Sequence, residues 1–275
     1  MYICGKEEHE HTLACYSNLD ADVETYQDWE KTFPKEWGKT WNENVLLMAQ
    51  SQMGYKESEE NFELAEDGKT KKGYTRYGGW YGNPYGDWNT MFVSFCLNNA
   101  GIPFEAVPKS AGAFAFSAEL KKMDLLEDAS YTPKAGDIVF LQDADSQNVN
   151  RTAIVASLSD MFMDDQKVPC ITVIEGDLKN AVSPYKYPVD DPMIVGYLSV
   201  AAAYDRAVNM GLFLEDEMEV PSETEETTEQ TEGRDLTDEE LDAKLAVVLD
   251  SFTKKAKEFK KVDRRGSEKS ANTPA

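Results

Sequence analysis

The chain has 275 residues, 41% of them hydrophobic, enough for one well-buried domain with appendages or for two small domains. Its formal charge is −23, from 28 basic and 51 acidic side chains, a balance that repels phosphates and argues against a nucleic-acid partner. No apolar run approaches the ~18 residues of a membrane span, and four cysteines are too few for a disulfide framework in a chain this long.

The opening residues Met1-Tyr2-Ile3-Cys4 lack the basic and apolar regions of a signal peptide. Residues 1–16 gather Cys4, His9, His11 and Cys15, including both histidines of the chain. Two thiolates and two imidazoles have the type and number for a tetrahedral zinc shell, and His9 and His11 fall on one side of an extended segment. A Cys4–Cys15 disulfide closing a small hairpin is a competing reading, and no bond at all is a third. Four protein ligands leave no open position for water, so a zinc ion here is expected to be structural.

Residues 17–39 read as a polar connector, and 40–204 as the main domain. Trp41, Val45, Met48, Ala49 and Met53 recur at helical spacing, which predicts a helix over Thr40–Met53 stopped by Gly54. Residues 66–87, rich in Gly, Tyr and Asn, read as a long loop of the kind that faces ligands. Met91, Phe92, Phe95 and Cys96 share one face of a second helix over Asp87–Ala100, ended by Gly101-Ile102-Pro103. A shorter helix is expected over Ala111–Met123. Strands are expected over Asp137–Leu141, Ala153–Leu158, Ile171–Glu175 and Met193–Val200, short segments rich in Val and Ile between polar turns. Helices first and strands after predict an α+β fold with a mostly antiparallel sheet.

The remainder carries a strong charge bias. Residues 205–235 read as an acidic disordered linker, because ten acidic side chains between 215 and 235 leave too little apolar area to offset backbone ordering. Thr237-Asp238-Glu239-Glu240 is a capping box. It opens a helix over 236–262 whose stripe is Leu241, Leu245, Val248, Leu249, Phe252 and Phe259, read either as a surface helix or as a docking helix for a partner. Residues 263–275, with Arg264 and Arg265, read as a disordered tail.

Several segments follow a known pattern: Ser51-Gln52-Met53-Gly54-Tyr55-Lys56-Glu57-Ser58, then Gly73-Tyr74-Thr75-Arg76-Tyr77-Gly78-Gly79-Trp80-Tyr81-Gly82. Gly86-Asp87-Trp88, Met91-Phe92-Val93-Ser94-Phe95-Cys96, Tyr131-Thr132-Pro133-Lys134-Ala135-Gly136-Asp137 and Ile174-Glu175-Gly176 continue it in order. Over roughly residues 40–202 the chain resembles the CHAP domain (cysteine, histidine-dependent amidohydrolase/peptidase) of secreted proteins from Gram-positive bacteria. The resemblance implies a papain-like α+β fold of the NlpC/P60 type, with N-terminal helices packed on the sheet. It also implies an extracellular or cell-surface location and peptidoglycan as the family's substrate. In the family a cysteine opens a helix, where orphan N–H groups and the helix dipole favour the thiolate. A histidine on the sheet takes its proton, and a third polar residue orients the histidine.

Two of those three positions are altered. The residue after Gly86-Asp87-Trp88 is Asn89, and an amide is not a nucleophile. Arg151 stands at the histidine position before Ala153-Ile154-Val155, and a guanidinium does not accept a proton. Glu175 matches the orienting acid, so an Arg151–Glu175 ion pair is expected. Cys96 lies seven residues beyond Asn89, about 10 Å along the helix, and reads as core, as does Cys170. His9 and His11 lie too far upstream to serve as a base. The expectation is therefore a catalytically inactive CHAP-like module, binding or scaffolding at the bacterial cell wall. Tyr77, Trp80, Tyr81, Trp88, Asn89, Arg151 and Glu175 would line the residual cleft, and Arg151 would hold a carboxylate of a peptidoglycan stem peptide, or the cleft a cell-wall protein. The alternatives are an active hydrolase with an unrecognised catalytic group, and an assembly protein using the acidic tail and its helix.

Overall fold

The computed structural model describes residues 12–163 and 166–212. A 3-10 turn at Leu13–Tyr16 precedes a short helix α1 (Tyr26–Glu30), whose first turn is closed by the Thr25 N–H donating to Asp28 at 3.0 Å. Helix α2 (Trp41–Ser51) opens on a reciprocal cap: the Glu43 N–H donates to Thr40 Oγ1 at 3.2 Å, and the Glu43 carboxylate accepts the Thr40 N–H at 2.9 Å. Its Val45, Met48 and Ala49 are fully buried. A hairpin of β1 (Phe62–Leu64) and β2 (Lys71–Gly73) follows, then α3 (Arg76–Tyr81), capped by Thr75 Oγ1 accepting the Gly78 N–H at 3.0 Å.

Thus the stretch 66–87, expected to be a loop, holds a strand and a helix. Gly78 and Gly79 hid the helical period. Gly78 is needed for closeness, since a Cβ there would press on the backbone of Asn83 and Pro84. The central helix α4 (Asn89–Asn99) is buried from Thr90 through Leu97, and α5 (Ala113–Lys122) follows it.

The sheet comprises β3 (Leu126–Asp128), β4 (Ile138–Leu141), β5 (Arg151–Met163), β6 (Gln166–Glu175), β7 (Ser183–Pro188) and β8 (Ile194–Leu198), and α6 (Val200–Asn209) ends the described chain. All neighbours are antiparallel in the order β3-β8-β4-β5-β6-β7, so the α+β expectation with an antiparallel sheet is met. Alternation along the strands divides the core into two faces. Ile138, Phe140, Ile154, Ile174 and Leu198 pack with helix residues such as Met48, Phe92, Phe116 and Ala203. Val139, Leu141, Ala153, Val155, Ile171, Val173, Tyr187 and Tyr197 form the second cluster.

Two features tie the layers together. Gly136 sits at φ 91°, where a Cβ would collide with the Asn42 backbone. The fully buried Asp137 then accepts from Asn42 Nδ2 at 2.9 Å, the Val200 N–H at 3.0 Å, the Tyr131 hydroxyl at 3.0 Å and the Lys134 N–H at 2.7 Å. The second feature is Arg76, only 8% exposed. It donates through Nε and Nη2 to Glu24, and through Nη1 to Thr32 Oγ1 at 3.1 Å and Gln52 Oε1 at 3.0 Å, with its guanidinium over the Tyr55 ring.

Residues 17–39 are therefore more than a connector. Besides Glu24, Asp22 accepts from Ser58 at 2.6 Å, and the rings of Trp29 and Phe33 pack edge-on against Phe95. The boundary placed at residue 204 cuts α6, whose Ala203 and Ala207 are both fully buried. The predicted acidic linker beyond residue 212, the helix over 236–262 and the tail over 263–275 lie outside the described residues, as do residues 1–11. Among the described residues no helix is long and apolar enough to cross a membrane.

Candidate functional site

Asn89 is the first residue of α4, after Trp88. Its Nδ2 donates to the Gly176 carbonyl at 2.8 Å, and its Oδ1 accepts the Thr152 N–H at 2.7 Å and the Thr152 hydroxyl at 3.1 Å. The side chain thus fastens the start of α4 to β5 and to the turn after β6. Glycine at 176 makes the approach possible, since a Cβ there would stand 2.6 Å from that of Phe92. The Thr152 hydroxyl lies 3.4 Å from that of Thr90, both buried.

Arg151 forms a second network. Its Nη1 donates to Glu175 Oε1 at 2.8 Å and to the Tyr187 hydroxyl at 3.3 Å, and its Nη2 lies 2.7 Å from Asp143 Oδ1. The expected Arg151–Glu175 ion pair is present. The Tyr187 hydroxyl also donates to Glu175 Oε2 at 3.3 Å. Burial at 1% exposure raises the Glu175 carboxyl above its usual range, with Arg151 and Tyr187 opposing. Burial disfavours the charge on Arg151, but Glu175, Tyr187 and Asp143 together outweigh it and raise that group. Tyr187 is pushed up to about 12 by burial and then by the Glu175 charge.

The two networks share two dipeptides, Arg151-Thr152 and Glu175-Gly176, each giving one residue to each. Strand alternation sends Thr152 toward α4 and Arg151 toward Tyr187 on the other face. The partner of Asn89 is therefore Thr152, and Arg151 does not share its surroundings. Arg151 is also committed: Glu175 and Asp143 neutralise it, and its buried Nε–H finds no acceptor among the described residues. A ligand carboxylate would have to displace Asp143.

The expected cleft is likewise redistributed. Tyr77 and Trp88 are core residues, 0% and 1% exposed and stacked at 5.3 Å. Trp80 and Tyr81 are partly exposed, but Trp80 packs on Phe95 farther along α4, and Lys109 lies over both rings at 4.9 and 4.5 Å. Asn89 joins α4 to Thr152 and Gly176, whereas Arg151 and Glu175 meet Tyr187 on the other face of the sheet, so the seven residues do not gather in one groove.

An unanticipated acidic group stands beside this helix start. Asp177 lies in the left-handed region at φ 62°, near the Trp88 backbone N–H, which favours its charged form. Burial first, then the Glu57 carboxylate, with Asp87 and Glu175 adding, push it up to about 7. Glu57 is itself raised by burial and accepts the Trp88 indole N–H at 3.2 Å. Thr152, Tyr187, Asp143, Asp177 and Glu57 were all missed from sequence. The Glu-Gly-Asp run, which turns the chain sharply after a strand, was the only available signal, and it pointed to Asp177.

Cys96 is fully buried, and burial pushes its thiol well above the usual range, so it supplies no thiolate. Cys170 is buried on β6, its thiol directed at the Val168 carbonyl at 3.4 Å. Cys15 is buried in the 3-10 turn, while Cys4, His9 and His11 lie outside the described residues. Among the described residues no three His, Cys, Asp or Glu side chains gather as a metal site. Comparison with protein-family models, with curated proteins and with solved structures gives no match.

Proposed function

We propose that this chain is a non-catalytic CHAP-like module that binds or scaffolds at the bacterial cell wall. The observation that carries the reading is the Asn89 side chain. At the helix start, where a nucleophile would stand, it is an amide engaged on three hydrogen bonds that join α4 to the sheet. Arg151, on the other face of the sheet, is ion-paired with Glu175 and Asp143 and has no basic lone pair to offer. The position has exchanged reactivity for structure. The order of the Gly-Asp-Trp, Gly-Asp and Glu-Gly segments supports the family assignment, and the antiparallel α+β architecture is compatible with it.

The test is a peptidoglycan digestion assay paired with cosedimentation on insoluble cell walls. Soluble release equal to a boiled control, together with cosedimentation, is the expected result. Release above that control would overturn the non-catalytic reading, and absence of cosedimentation would remove the cell-wall role. The same reading assigns Cys4, His9, His11 and Cys15 a structural zinc ion, for which the buried thiol of Cys15 suits a closed shell. Metal content of the full chain against one lacking residues 1–16 checks it, with stoichiometric zinc expected only in the former.

A further inference from the structure

Aromatic rings gather where α3 ends. Trp80 and Tyr81 form its last turn, both partly exposed, and Phe104, 44% exposed, lies against the Trp80 ring at 6.5 Å. Trp80 is in turn held edge-on against the fully buried Phe95 at 5.6 Å, which fixes the group from the core side. Gly82, at φ 96°, turns the chain out of the helix, so the Tyr81 carbonyl is one of the orphan acceptors of a helix C-terminus.

An ammonium group already sits here. Lys109 Nζ lies 4.9 Å from the centre of the Trp80 ring and 4.5 Å from that of Tyr81, and it donates to the Tyr81 carbonyl at 3.4 Å. Two negative ring faces and a carbonyl dipole are the elements of an ammonium seat. Among the described residues Lys109 meets no carboxylate, whereas Lys31, Lys72 and Lys167 each pair with an aspartate. Lys71 rests on a single ring, Phe62, and Lys109 on two. The Lys109 side chain is nevertheless exposed, and at exposed positions such contacts bias an equilibrium only about two- to fivefold. At that strength its own lysine leaves the seat open roughly a sixth to a third of the time.

We propose that the Trp80 and Tyr81 rings and the Tyr81 carbonyl form a binding site for a lysine side chain of a basic partner protein, which enters by exchange with Lys109. The chemistry of the occupant is that of the group the structure places there. The carbonyl requires an N–H, so a primary ammonium fits better than a fully methylated one. The exposed Phe104 ring beside Trp80 offers apolar surface to the methylene stem of the incoming lysine. The −23 charge of the chain draws basic partners toward it. This inference goes beyond the proposed function and does not depend on it.

Titration of the full chain with Nα-acetyl-lysine methylamide at constant ionic strength, followed by NMR, tests it. Saturable shifts of the Trp80 indole and Tyr81 amide signals are expected at ligand concentrations on the order of tens of millimolar. Lys109→Ala removes the competing side chain at an exposed position and is expected to tighten binding about two- to fivefold. Tyr81→Leu, added to that variant, is expected to weaken it by about the same factor. The norleucine analogue, which keeps the stem and lacks the ammonium, should leave both signals in place. Absence of shifts in the Lys109→Ala protein, an equal response to the norleucine analogue, or an affinity that Lys109→Ala leaves unchanged or lowers would overturn the proposal.

Discussion

Asp177→Asn is expected to stabilise the domain at neutral pH and to flatten its pH dependence. The residue adopts φ 62°, a conformation that Asn tolerates as well as Asp, and the two side chains have the same shape. Shape is kept while the charge is removed. In the folded chain the carboxyl is raised from 3.8 to about 7, chiefly by burial and the Glu57 charge. The folded state therefore holds this proton more tightly than the unfolded state. The stability so conferred is complete below about pH 4 and is lost as pH rises toward about 7. At about 1.4 kcal/mol per pH unit the ceiling is about 4 kcal/mol. Glu57, also raised by burial, keeps its own proton longer and relieves part of the repulsion, so about 2 kcal/mol is the expected gain for the variant on the alkaline side. Urea unfolding followed by tryptophan fluorescence, repeated from acidic to mildly alkaline pH, reads it directly. Parallel pH curves for parent and variant, or a variant less stable than the parent at mildly alkaline pH, would refute the reasoning.

Asn89→Ala removes three hydrogen bonds and leaves the Thr152 N–H buried without its acceptor, so a loss of about 2 kcal/mol in denaturant melts is expected. Arg151→Met strands the buried Glu175 carboxylate and should cost about 3 kcal/mol at neutral pH. Because the Glu175 carboxyl is already raised, that loss should shrink in acid, where the group takes up a proton, as melts at two pH values would reveal. Gly136→Ala forces a β-carbon into the Asn42 backbone at φ 91° and is expected to cost about 3 kcal/mol or abolish soluble expression, whereas Gly211→Ala, at φ 66° with open space around it, should be far milder.

The long periodic segments were legible in the sequence. Helices α2, α4 and α5 fall within a residue or two of where the apolar spacing and the Thr40 and Gly101 signals put them, and β4, β6 and β8 lie on the Val- and Ile-rich runs. The elements that escaped had weak local signals. β7 carries Pro184 and Pro188, which reads against a strand until one sees that it is an edge. α3 hides behind paired glycines, and α6 is an alanine-rich helix whose burial depends on neighbours far away in the chain. The candidate site shows the same division. Asn89, Arg151 and Glu175 were singled out through the family resemblance, and the Arg151–Glu175 ion pair was foreseen. Which face each side chain takes depends on the register of β5 against β4 and β6, a property of three strands that no single segment encodes. That is why Thr152, one residue along, was overlooked as the partner of Asn89.

The anchoring of Arg76 has a practical bearing on where this module begins. Its counter-ion, Glu24, is supplied from well upstream of the first long helix. A fragment excised at residue 40 would carry a guanidinium sealed among Tyr55, Gln52 and Tyr77 with no carboxylate to answer it, along with a bared patch on Phe95 where two aromatic rings once lay. Such a fragment would be prone to stick to itself. The transplantable piece is therefore longer than its long helices and strands suggest, and its leading segment behaves as a clasp sewn into the garment rather than a thread left hanging from it.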